Sequence, residues 1–77
     1  MEESYKKAFI DGLSLTDNTD IERLEYNEID EWDSIGHMTL VAEIEEKFNI
    51  TFETDDIVNF SSYKKGKEIL MKLGVKF

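Results

Sequence analysis

Ser34, in the segment EWDSIGHM at residues 31–38, is the residue of this chain best placed to do chemistry. It follows Asp33 and opens a stretch with helical periodicity. Unpaired backbone N–H groups and the helix dipole stabilise an anion at such a position, including a phosphate ester on a hydroxyl. Ser and Asp are also common N-cap residues, so the position alone favours a plain cap. Two interpretations of Ser34 are therefore open.

An enzyme is not predicted from the nucleophiles and bases that the sequence offers. The chain has one His and no Cys, which excludes a triad with a sulfur nucleophile. A pair made by Ser34 and His37, one helical turn apart, lacks a visible oxyanion site. We predict that His37 is a partly buried packing residue. Any thiol chemistry must come from a group attached to the chain.

Metal binding is not predicted either. The acidic stretch DNTDIERLEYNEID, residues 17–30, lacks the central Gly and the ligand spacing of a calcium-binding hand. Trp32, which follows this stretch, is interpreted as an apolar anchor that covers the start of the next helix.

Charge divides the chain into two unequal parts. Residues 1–60 carry 17 acidic residues and 4 Lys or Arg, whereas residues 61–77 carry 1 and 5, which gives −13 and +4 and the net charge of −9. This field repels nucleic acid and favours proteins with basic patches. The alternative is that the acids only keep a small domain soluble.

In the first half of the chain, the sequence predicts a helix and a long loop that leads to a second helix. Residues 2–13 repeat apolar side chains at helical spacing. Residues 14–33 are expected to form a loop with one helical turn after Asp20, anchored by Ile21, Leu24, Tyr26, Ile29 and Trp32.

The strongest predicted helix spans Ser34–Phe48. Its apolar arc is wide enough to touch neighbours on two sides. The arc comprises Ile35, His37, Met38, Leu40, Val41, Ala42, Ile44 and Phe48. The strip expected to face water comprises Gly36, Thr39, Glu43, Glu46 and Lys47.

Two further helices complete the predicted fold. Thr54 is the expected N-cap of a short helix through Phe60, with Asp55 and Asp56 in its first turn. The last helix spans residues 63–73. Ser61 or Ser62 would cap it, and Gly74 would end it with a left-handed residue.

The predicted fold class is all-α, a small bundle of three main helices and one short helix in a single domain of residues 1–77. No apolar run reaches the roughly 20 residues that a membrane span needs. The start, MEESYKKAF, lacks the apolar core of a signal peptide, so we expect a cytoplasmic protein. We also expect a monomer.

With these elements in order, the chain resembles the acyl and peptidyl carrier proteins. Their signature, Asp-Ser-Leu or Asp-Ser-Ile at the start of the second helix, stands here as Asp33-Ser34-Ile35. The resemblance extends to the anchored loop, the stretch VAEIEEKFNI and a last helix after FSS. The segment WDSIGHM is more similar to discrete carriers of specialised pathways, such as polysaccharide or secondary-metabolite assembly, than to fatty-acid carriers.

The resemblance implies a covalent 4′-phosphopantetheine arm on Ser34, delivered from coenzyme A by a phosphopantetheinyl transferase. The thiol of the arm would hold an acyl or aminoacyl cargo as a thioester. A loading ligase and a downstream transferase or synthase would be the other partners.

The resemblance also implies where partners would dock, around Ser34 and along the second helix. The residues expected to contact partners are Asp30, Glu31, Gly36, Thr39, Glu43 and Glu46. The alternative from another functional class is an unmodified acidic helical adaptor.

Overall fold

Helices account for most of the chain that the computed structural model describes, residues 2–16 and 20–77. The elements are α1 (Glu2–Leu13), a 3-10 turn (Ile21–Arg23), α2 (Ser34–Phe48), α3 (Thr54–Asn59) and α4 (Tyr63–Lys72). The predicted all-α bundle of three main helices and one short helix is confirmed. Among these helices, none is long and apolar enough to cross a membrane.

Helices α1 and α2 pack closely because α1 places a glycine at their contact. A Cβ on Gly12 would lie 2.9 Å from the Cα of Leu40, so a larger residue would push the two backbones apart. The buried side of α1 is the predicted one, formed by Tyr5, Ala8, Phe9 and Leu13.

Aromatic side chains from α1, the loop before α2, the C-cap of α3 and the start of α4 fill much of the core. The largest fully buried side chains are Trp32, Tyr5, Tyr63, Phe9 and Phe60. Phe9 meets Trp32 edge to face, with the ring centroids 5.3 Å apart. Such pairs contribute about 0.5–1.5 kcal/mol beyond the burial of their area. The predicted anchoring role of Trp32 is thus confirmed, since its ring is part of this core.

The loop between α1 and α2 is tied to the start of α4 by backbone hydrogen bonds. The N–H of Tyr26 donates to the carbonyl of Ser61 at 2.8 Å, and the N–H of Tyr63 donates to that of Leu24 at 3.0 Å. The predicted helical turn after Asp20 is present as the 3-10 turn. Residues 17–19 of this loop lie outside the described residues.

The predicted loop anchors differ in how deeply they are buried. Ile21, Leu24 and Trp32 are buried, whereas Ile29 is half-buried. Tyr26 is 40% exposed, so it is only in part the anchor that its hydrophobicity predicts.

The predicted apolar arc of α2 is too wide. His37, Leu40, Val41 and Ile44 are buried and Phe48 is half-buried, but Ile35, Met38 and Ala42 are exposed. The reason is the position of α1, which lies against the side of α2 that carries Gly36 and Glu43. Both of these residues are half-buried, and the expectation that they face water is wrong.

Two helix starts are capped by side chains close to the predicted positions. The N-cap of α3 is Glu53, not Thr54, and its N–H donates to the Asp56 carboxylate at 3.3 Å. At α4, Ser62 is the cap, and its hydroxyl accepts from the N–H of Lys65 at 3.0 Å.

The ends of these two helices are each one residue shorter than predicted. Helix α3 ends at Asn59 and α4 at Lys72, with Leu73 as the C-cap of α4. Gly74 follows with a φ of 101°, the left-handed conformation that the sequence predicts.

An ion pair between α3 and α4 makes stability depend on pH. The Lys72 ammonium lies 2.5 Å from a carboxylate oxygen of the buried Asp56 and holds the pKa of that carboxyl below its usual range. A lowered pKa means that the pair stabilises the folded chain above the ordinary aspartate pKa of about 3.9. This stabilisation is lost as the pH falls further and Asp56 is protonated.

We therefore expect Asp56→Asn to lower the free energy of unfolding at neutral pH, and the difference from wild type to shrink below about pH 4. Denaturant unfolding across a pH series measures it. Asp55→Asn, at an exposed position of the same helical turn, is the matched control. A difference that stays constant down to acidic pH would contradict the role of the ion pair.

Candidate functional site

The start of α2 is capped by Asp33, and Ser34 is the first helical residue. Asp33 Oδ1 accepts from the N–H of Gly36 at 2.8 Å, and the carbonyl of Asp33 accepts from the N–H of His37 at 2.8 Å. The interpretation of Ser34 as the cap is therefore wrong. The capping function belongs to the acidic residue before it.

The side chain of Ser34 is exposed and lies beside a phenol. Its Oγ is 3.3 Å from the Oη of Tyr26, and either atom can be the donor. A serine hydroxyl in this position is accessible to a second macromolecule, since α2 begins at the surface. It lies next to the backbone N–H groups of the first helical turn, which have no partner within a helix.

A buried hydrogen-bond bridge runs from the loop through α2 to α3. Trp32 Nε1 donates to His37 Nδ1 at 2.9 Å, and His37 Nε2 lies 2.8 Å from the carbonyl oxygen of Ile57. An indole N–H can only donate, so Nδ1 must carry a lone pair. The hydrogen of the neutral ring is then on Nε2, which donates to Ile57. This tautomer satisfies all three groups.

Aromatic neighbours enclose the imidazole of His37, which is only 8% exposed. The planes of His37 and Trp32 are inclined by only 22°, with the ring centroids 6.2 Å apart and the hydrogen bond joining their edges. The rings of Tyr26 and Phe60 meet the imidazole edge to face at 5.1 and 5.6 Å. Both ring nitrogens are occupied by Trp32 and Ile57. The prediction that His37 is a packing residue is confirmed. In this arrangement the ring does not serve as a base for Ser34.

The backbone of the loop lies directly against α2 at Gly36. A Cβ there would lie 2.0 Å from the carbonyl oxygen of Glu31 and 3.2 Å from Leu13 Cδ2. Backbone cannot yield as a flexible side chain would, so a side chain at this position would displace the segment that precedes Ser34. Gly36 therefore belongs to the framework of the site and offers little surface to a partner.

An open cleft of about 270 Å³ lies between the loop and α3. Its lining is formed by Tyr26, His37, Ile57, Val58, Phe60 and Ser61. The cleft adjoins Ser34 through the Tyr26 side chain.

Of the remaining residues predicted to contact partners, four are exposed and one lies at the contact between α1 and α2. Asp30, Glu31, Thr39 and Glu46 are exposed. The hydroxyl of Thr39 donates to the carbonyl of Ile35 at 3.1 Å. Glu43 lies 3.8 Å from the ammonium of Lys47, which also lies 3.6 Å from Asp11 of α1. Glu43 thus belongs to the contact between α1 and α2.

Sequence reasoning missed the most exposed large apolar side chains of α2 and α3. Ile35 is 79% exposed, Met38 54% and Val58 74%. Helical periodicity predicts Ile35 and Met38 in the core, because it cannot tell which end of a wide arc is covered. The hydrophobicity of Tyr26 predicts an anchor. Its place beside Ser34 depends on backbone pairing with Ser61, for which the sequence carries no periodic signal.

Comparison of the chain with models of known protein families finds no match, and neither curated proteins nor solved structures provide one.

Within residues 2–16 and 20–77, no group of three or more His, Cys, Asp or Glu side chains could hold a metal ion.

We expect His37→Phe to lower the free energy of unfolding. The substitution keeps a ring but leaves the Trp32 N–H and the Ile57 carbonyl without their partner, at a cost of about 1–3 kcal/mol for each group that stays buried. Urea unfolding followed by the fluorescence of Trp32, the single Trp, measures the loss.

His37→Asn is the matched comparison, because its amide oxygen can accept from Trp32 in place of Nδ1. It should recover part of the stability. Equal stability of His37→Phe and wild type would show that the bridge adds nothing to the fold.

Proposed function

We propose that this chain is a carrier protein that bears a 4′-phosphopantetheine arm on Ser34. The observation that carries the proposal is the division of roles at the start of α2. Asp33 caps the helix, so the exposed hydroxyl of Ser34 is left for modification. The signature Asp33-Ser34-Ile35 and the all-α bundle add to this support.

The residues around Ser34 fit such an arm. The N–H groups of Ser34 and Ile35 lie in the first turn of α2, where the helix dipole favours a phosphate. Tyr26 Oη is within hydrogen-bond distance of Ser34 Oγ. The arm would supply a thiol for thioester chemistry, which a chain without Cys cannot provide by itself.

In the proposed modification, Ser34 Oγ attacks the phosphorus of coenzyme A that carries pantetheine. The Oγ–P bond forms as the bond from that phosphorus to the nucleotide breaks, and adenosine 3′,5′-bisphosphate leaves. The hydroxyl proton passes to a base of the transferase. His37 is not that base, because both of its ring nitrogens are engaged.

The exposed side chains of Ile35 and Met38 on α2 and of Val58 on α3 would together form an apolar docking patch for the transferase and for the enzymes that load and unload cargo. Asp30, Glu31 and Glu46 would surround it with negative charge. Partners should therefore present an apolar contact with a basic rim. We also propose a cytoplasmic monomer that serves a specialised pathway and carries an acyl or aminoacyl cargo.

The second candidate is an unmodified adaptor, and the same patch is the observation that favours it. Apolar side chains ringed by acids can bind a basic partner without any prosthetic group. The two candidates differ in whether Ser34 must be modified.

Intact-mass measurement separates them. Incubation with coenzyme A and a permissive phosphopantetheinyl transferase should add the mass of one arm to wild type and to Ser61→Ala, and nothing to Ser34→Ala. Because Asp33 remains as the cap, Ser34→Ala should change stability by no more than about 0.5 kcal/mol. Unmodified wild type after treatment with several active transferases, or an arm that maps to Ser61 or Ser62, would favour the adaptor.

Docking can be tested by comparing a charge change with an apolar one. Glu46→Lys should slow arm transfer at low salt, and the effect should fade as salt rises, because charges at the rim act mainly on the association rate. Met38→Asp should impair transfer at every salt concentration, because it places a charge within the apolar contact.

Lys64→Glu, at an exposed position of α4, is the control for the charge change. Circular dichroism checks that each variant is folded. Normal transfer to Met38→Asp together with loss of transfer to Lys64→Glu would move the docking surface to α4.

A further inference from the structure

Tyr26 is held in place beside Ser34 by contacts that do not involve its hydroxyl. Its backbone N–H donates to the carbonyl of Ser61 at 2.8 Å. Its ring meets His37 at a centroid distance of 5.1 Å and Trp32 at 6.2 Å, both edge to face. The backbone and the ring therefore fix the phenol, while its Oη is left 3.3 Å from Ser34 Oγ.

We propose that Tyr26 is a positioning residue, which donates a hydrogen bond to the phosphate of an arm on Ser34. The inference rests on the proposed function. Before modification, either hydroxyl of the pair can donate. A serine ester has no hydroxyl hydrogen, and a phosphodiester only accepts. In the modified chain the phenol is therefore the donor, and its acceptor is anionic.

The charges around Ser34 favour a neutral hydrogen-bond donor for the phosphate. The exposed side chains that precede Ser34 include the carboxylates of Asp30, Glu31 and Asp33, which repel a phosphate. Lys47 and Lys72 pair with carboxylates elsewhere in the bundle, on α1 and α3. A neutral O–H donates to the phosphate without attracting these acids, and a hydrogen bond to an ionised acceptor is about twice as strong as a neutral one.

The hydroxyl and the ring of Tyr26 can be separated by experiment. Tyr26→Phe keeps the ring that packs on His37 and Trp32 and removes the donor alone. The arm is attached to wild type, to Tyr26→Phe and to Ser61→Ala, which removes a hydroxyl from the same cleft. The ³¹P chemical shift of the phosphodiester is then measured for each folded chain and for the same chain unfolded in urea.

We expect the ³¹P resonance of folded wild type to differ from that of the unfolded chain. In Tyr26→Phe it should move toward the unfolded value, whereas Ser61→Ala should match wild type. Melting temperature and Trp32 fluorescence of unmodified Tyr26→Phe should stay at the wild-type values, since the ring contacts remain.

A second measurement uses the wild-type chain only. With Tyr labelled at Cζ by ¹³C, attachment of the arm should shift the Tyr26 resonance. Tyr5 and Tyr63, whose hydroxyls bond to the carbonyl of Tyr63 and to Glu2, should keep theirs.

Two outcomes overturn the inference. The first is a ³¹P resonance at the same position in folded wild type and folded Tyr26→Phe. The second is a Tyr26 Cζ resonance that does not shift when the arm is attached. Either would show that the phenol does not contact the phosphate. Failure to attach any arm to wild type would instead overturn the proposed function, and this inference with it.

Discussion

The hydrogen-bond bridge from Trp32 through His37 to Ile57 is the interaction on which the presentation of Ser34 depends. Backbone hydrogen bonds hold the loop before α2 at several points, two of them to the start of α4, and part of its course is set by the indole ring buried in the core. His37 joins that indole to α3. If the bridge were absent, the residue next to Asp33 would lose its side-chain hydrogen bond to α2.

In the segment from Trp32 to Gly36, the residues that stabilise the fold are not the residue that exposes a reactive hydroxyl. Asp33 caps the helix, Gly36 admits the loop backbone, and Trp32 fills the core. Ser34, which lies among them, contributes a hydroxyl at the surface beside Tyr26. A residue that neither caps nor packs can be modified without loss of the fold, as the proposed arm on Ser34 would require.

The sequence predicts the helices better than it predicts which sides of them are covered. Bounds of α1 and α2 follow from apolar spacing, and Ser62 and Gly74 mark the limits of α4 by local hydrogen bonding and backbone conformation. The covered side of α2 depends on where α1 lies, a tertiary contact decided by Gly12.

The candidate site was predictable to a similar extent. Local preference identified Ser34 and Asp33 as residues of a helix start but could not assign the cap between them, because both side chains can accept from the first turn. The placement of Tyr26 beside Ser34 depends on a pairing between residues 26 and 61 that are distant in sequence. Periodicity carries no information on such pairings.

Determining the tautomer of His37 is the most direct test of the bridge from Trp32 to Ile57. The chain has one His and one Trp, so a long-range ¹H–¹⁵N spectrum of the imidazole and the exchange rate of the indole N–H can be assigned without ambiguity. At neutral pH the account predicts hydrogen on Nε2, a lone pair on Nδ1 and slow exchange of the Trp32 indole proton. Hydrogen on Nδ1, or an indole proton that exchanges as fast as in an unfolded peptide, would contradict it.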